Sequence, residues 1–62
     1  MDNKLLLSIP ECADRLSLGR SKLYELLSRG DIRAVRIGRA VRIPATEIER
    51  YAASLAAEFA TV

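Results

Sequence analysis

The chain has 62 residues, half of them apolar, with ten Lys and Arg against eight Asp and Glu, no His and one Cys. That makes one small domain, residues 1–62, near the lower limit for a self-sufficient core, with no intramolecular disulfide, no zinc site and no cofactor motif. No apolar run nears the ~20 residues of a membrane span, and Leu5–Leu7 is too short for a secretory leader, so the expectation is a soluble, cytoplasmic protein.

The charge is uneven. Residues 15–42 carry Arg15, Arg20, Lys22, Arg29, Arg33, Arg36, Arg39 and Arg42 against Glu25 and Asp31, a net +6, while each flanking segment is −2. A basic middle between acidic ends points to a polyanion-binding surface.

In chain order, Leu5–Leu7 suits an edge strand or a tether. Ser8 with Glu11 has the spacing of a capping box, and Pro10 is tolerated in a first helical turn. Ile9, Cys12, Ala13 and Leu16 then form one apolar stripe at helical spacing. Cys12 and Ala13 are small enough to let a second helix approach. Ser17, Leu18 and Gly19 break the pattern, with Leu18 placed to plug the angle between two helices.

Gly19–Gly30 reads as the second helix, ended by Gly30 in the left-handed position. At ~100° per residue, Leu23, Leu26 and Leu27 cluster inward. Ser21, Glu25 and Ser28 point the opposite way, with Arg20, Lys22, Tyr24 and Arg29 on the flanks. Two short helices joined by a tight turn make a helix-turn-helix unit. The outer face of its second helix offers the cations, hydroxyls and phenol that fit a DNA major groove. Arg20, Ser21, Lys22 and Glu25 are candidates for base edges. Glu25 is useful there if it accepts from cytosine; its competing partner is Arg29, four residues on. Tyr24 is expected to lay its ring on the core and send its hydroxyl to a phosphate.

Ile32–Ile43 alternates as two strands around Gly38. A two-residue loop, Gly38–Arg39, sets Val35 opposite Arg42 and mixes apolar with charged side chains. A three-residue loop, Gly38–Arg39–Ala40, pairs Ile37 with Val41 and Val35 with Ile43 on a core face, leaving Arg36 beside Arg42. The second register is expected, since a one-residue slip misplaces every side chain. Adjacent arginines would then repel by up to ~1 kcal/mol unless a polyanion offsets it. Arg36, Arg39 and Arg42 are accordingly candidates for phosphate or minor-groove contacts.

Pro44 stops the second strand, and a last helix is expected from about Ala45 to Ala60, ~24 Å long. Ile48, Tyr51 or Ala52, Leu55 and Phe59 recur at helical spacing, and Glu47 and Glu49 suit the dipole of its first turns. The small core cannot cover that whole length. Leu55, Ala56, Phe59 and Val62 are therefore read as spare apolar surface, with residues 56–62 as a self-association tail.

The segment IPECADRLSLGRSKLYELLSRGDIRAVRIGRAVRIPATEIERY, Ile9–Tyr51, resembles the small excisionase-type DNA-binding proteins with a MerR-like winged helix-turn-helix fold. SKLYELLSRGDI and VRIGRAVRIP carry most of that likeness. The resemblance implies a mostly α fold with a small β-hairpin wing. It further implies binding and bending of phage or mobile-element attachment sites, with an integrase as partner. Small transcriptional regulators share the domain. Two positions depart from the family pattern: Ser17 stands where a turn glycine is usual, and Gly19 where a serine usually caps the second helix.

Nothing in the chain suggests an enzyme: there is no His, no paired carboxylates and no nucleophile with a base at a useful spacing. The competing class is a protein-interaction adaptor that uses the C-terminal apolar strip and keeps its arginines solvated.

Overall fold

Helix α1, Ile9–Leu16, starts where its capping signals sit. The Ser8 hydroxyl accepts from the Glu11 amide at 3.3 Å, and the Glu11 carboxylate accepts from the Ser8 amide at 2.9 Å. Two otherwise orphaned donors are thereby satisfied, and the chain is described here by a computed structural model covering residues 4–58. Lys4 adds a hydrogen bond to the same carboxylate.

Helix α2 spans Arg20–Arg29. Both helices end in the same way, with a left-handed residue whose own amide and the next one turn back onto the last carbonyls. At the end of α2 this residue is Gly30 (φ 82°), and Asp31 donates to the Leu26 carbonyl at 3.0 Å. At the end of α1 it is Ser17 (φ 57°), and Leu18 donates to the Ala13 carbonyl at 2.9 Å. The departure from glycine noted at Ser17 therefore falls on a left-handed position. Gly19 precedes α2 with an ordinary extended backbone and supplies no side-chain cap. Leu18 packs against the core from within the turn, as its plug role requires.

Three antiparallel strands, β1 (Leu6–Leu7), β2 (Val35–Ile37) and β3 (Ala40–Pro44), lie in the order β1-β3-β2. Leu6 pairs with Pro44 and Leu7 with Ile43, so the N-terminal leucines do form an edge strand. Helix α3, Ala45–Glu58, follows β3 directly. Pro44 offers no capping side chain, and the first α3 amide, Ala45, instead donates to the Leu5 carbonyl at 2.8 Å. No helix of the described residues is long and apolar enough to cross a membrane.

The core is Leu7, Cys12, Ala13, Leu23, Leu26, Ile32, Ile43 and Ile48, with Ile9, Leu16, Leu18, Leu27 and Tyr51 packed around it. It is assembled from the inner faces of all three helices, two strand positions and Ile32 of the loop between α2 and β2. Burial pushes the Cys12 thiol up from its usual value, which suits a packing residue.

The hairpin register differs from the expected one. Val35 pairs with Arg42, Arg36 with Val41 and Ile37 with Ala40, leaving Gly38–Arg39 as a two-residue loop. Gly38 has φ 61°, the positive value wanted at the first central position of a type II′ turn, whose twist matches the strands. The three-residue loop assumes that one hairpin face is buried. That assumption fails: Val35, Ile37 and Val41 are all exposed, Ile37 by 55 %. Only Ile43 of the hairpin strands enters the core. With no buried face to enforce alternation, turn geometry sets the register. The postulated Arg36–Arg42 repulsion is therefore absent.

Candidate nucleic-acid interface

Leu23 and Leu26 anchor α2 in the core, which turns its polar residues outward. Arg20, Ser21, Lys22, Tyr24 and Glu25 are all exposed on this one helix. Tyr24 departs from expectation. Its side chain is 58 % exposed and stands clear of the core. A ring presented this way offers a flat apolar face and a hydroxyl to whatever approaches α2.

Glu25 sits between two cations. Its carboxylate is 3.5 Å from Lys22 and 3.7 Å from Arg29. Arg29 lies closer to Asp31, at 3.2 Å. These loose, exposed pairs hold little energy in water and exchange readily for another partner. Arg20 makes no ion pair among the described residues, and neither do Arg36 and Arg39.

On the hairpin, the register separates residues expected side by side. Arg36 shares a face with Val41 and Ile43, while Arg42 shares the opposite face with Val35. Arg39 occupies the turn with Gly38. Arg42 is half-buried, and its guanidinium donates to the Val41 carbonyl at 2.8 Å. Arg36 and Arg39 thus extend freely, whereas Arg42 is turned back on its own strand.

The loop between α2 and β2 is held by residues that the charge pattern did not single out. Glu47 accepts from the Arg33 amide at 2.9 Å and from Arg50 at 3.1 and 3.3 Å. Arg50 also donates to the Asp31 carbonyl at 2.8 Å. The Arg50 guanidinium, with help from the Arg33 amide, holds the Glu47 carboxyl below the usual carboxylate range. The i,i+3 spacing of Glu47 and Arg50 is visible in the sequence, but their backbone partners are not.

Between the end of α2 and α3 lies an open cleft of about 320 Å³ lined by Arg29, Asp31, Arg50, Tyr51, Leu55 and Glu58. Leu55 is half-buried there and Ala56 is exposed, while Phe59 and Val62 lie outside the described residues. No group of acidic, Cys or His side chains among the described residues is arranged to hold a metal ion.

A mostly helical chain with two helices meeting at a tight turn, followed by a small hairpin and a closing helix, defines a helix-turn-helix protein. The chain belongs to the helix-turn-helix domain family, which it matches over residues 6–56. It is similar to a probable excisionase from Saccharopolyspora erythraea, 50 % identical over 58 residues. That alignment takes in 94 % of this chain and 59 % of the relative, so the chain spans about three-fifths of the relative's length. No solved structure matches the chain.

Proposed function

We propose that the protein binds double-stranded DNA, with α2 in the major groove and the β2–β3 hairpin as a wing against the neighbouring backbone. The observation that carries this reading is the set of exposed cations on these two elements, Arg20, Lys22, Arg36 and Arg39. Three of the four have no ion pair among the described residues, and all four belong to residues 15–42, the segment with net charge +6. On this reading Arg20, Ser21, Lys22 and Glu25 meet base edges, Tyr24 packs beside the backbone, and Arg36 and Arg39 meet phosphates. Arg42 joins them once its bond to the Val41 carbonyl is released.

The likeness to a probable excisionase supports a role in recombination. The protein bends an attachment site of a phage or mobile element and steers the partner integrase toward excision. The first test is salt dependence. With about four to six phosphates neutralised, log K falls against log salt with a slope of roughly −4 to −5 per monomer. A slope near zero would overturn DNA binding and favour an adaptor that merely keeps its arginines solvated. The second test adds the protein to a cognate integrase and follows the product. A switch from integration to excision supports the recombination role, and repression of a nearby promoter without that switch assigns the domain to transcription.

A further inference from the structure

The hairpin is attached to the rest of the molecule at few points. Its own side chains reach the core only through Ile43, and β2 is an edge strand whose ladder runs to β3 alone. What fixes the start of β2 is the loop that delivers it from α2. In that loop the Ile32 side chain is buried. The backbone on either side of it is tied to α3: the Asp31 carbonyl to Arg50 at 2.8 Å, and the Arg33 amide to Glu47 at 2.9 Å. Glu47 and Arg50 are themselves joined at 3.1 Å, one helical turn apart. From the other side, Arg29 of α2 holds the Asp31 carboxylate at 3.2 Å.

We propose that the Glu47–Arg50 pair is a positioning element that sets the hairpin's place relative to α2, so that both reach the same duplex. This deepens the DNA-binding reading and rests on it. Arg50 is exposed and Glu47 half-buried; what the pair holds is loop backbone, the Asp31 carbonyl and the Arg33 amide, so it acts through geometry. Two backbone groups flanking a buried side chain leave the loop one path, and with either tie lost it swings about Ile32 and carries β2 with it.

The test has one arm without DNA and one with it. Nitroxide labels on Ser28→Cys and Arg39→Cys report the distance from α2 to the hairpin tip. Glu47→Ala is expected to broaden that distribution while the thermal midpoint barely moves. In the DNA arm, Arg39→Ala weakens binding about tenfold in the unsubstituted background but less than about twofold in Glu47→Ala. Lys22→Ala has the same effect in both. An unchanged label distribution, or equal Arg39→Ala effects in the two backgrounds, overturns the proposal. Should Glu47→Ala fail to fold, Arg50→Ala keeps the bond to Arg33 and gives the same readouts at smaller amplitude. Loss of folding in both variants makes the pair part of the core and also overturns it. Broadened label distances in a protein that binds no duplex would support the positioning role and refute the DNA reading alone.

Discussion

Ser17 and Gly19 flank Leu18, and each does a job better suited to the other. Ser17 holds the left-handed backbone that costs an L-residue about 1–2 kcal/mol, while Gly19 has an ordinary φ of −73° and open space where a side chain would stand. Ser17→Gly is therefore expected to raise unfolding stability by about 0.5–1 kcal/mol. Gly19→Ser should add a few tenths by capping α2. Urea midpoints should rise for both with the m-value unchanged. Glu11 gives a prediction of another kind. The hydrogen bond from Lys4, with the Ser8 amide and hydroxyl, holds its carboxyl down from near 4.5 to about 2. A pKa lowered in the folded state contributes stability that is present above the ordinary value and lost as pH falls toward the lowered one. Glu11→Gln should consequently be less stable at neutral pH, with a flatter stability profile between pH 4.5 and 2. An acid limb unchanged by the substitution would show that the capping box contributes nothing electrostatic.

The two elements proposed to face DNA are expected to fail differently. Arg20→Ala or Lys22→Ala on α2 should cost ~1–3 kcal/mol and relax preference at one or two base positions, whereas Arg39→Ala in the turn should weaken all sequences about equally. Binding measured on a panel of single-base variants separates the two, and a sequence-selective Arg39→Ala would reverse the assignment. The helices are legible in the sequence because their signals are local: Ser8 with Glu11 marks a start, and Gly30 marks a stop. The hairpin was legible as an element but not in register. Alternation specifies pairing only where one face is buried, and here Val35, Ile37 and Val41 all face solvent. Positive φ at Gly38 decides instead, and that is backbone information. The role of Glu47 was hidden for a related reason, since its partner is the amide of Arg33 and not a side chain.

At the scale of the whole molecule, the core ends before α3 does. Tyr51 packs against it, while Leu55 is half-buried beside the cleft that opens toward Arg29. Leu55, with Phe59 and Val62 beyond the described residues, is proposed to join copies bound side by side. One large apolar side chain buried contributes ~1.5–3 kcal/mol, enough for weak cooperation on DNA. Deleting residues 56–62 should abolish cooperative binding to duplexes with several sites and leave single-site affinity intact, as titration and sedimentation would show. Undiminished cooperativity would rule the tail out. The strand β1 closes the molecule at its other end. Leu7 pairs with Ile43, and the Leu5 carbonyl receives the Ala45 amide. Helices of eight and ten residues are marginal alone, because isolated helices need roughly 12–15 residues to persist in water. On the ribosome, then, the helix-turn-helix unit is complete as covalent chain long before it is complete as structure. Residues 43–45 must emerge to meet leucines made some three dozen residues earlier, so a nascent chain halted at Arg42 carries every proposed DNA contact but lacks Ile43 and Ile48 of the core.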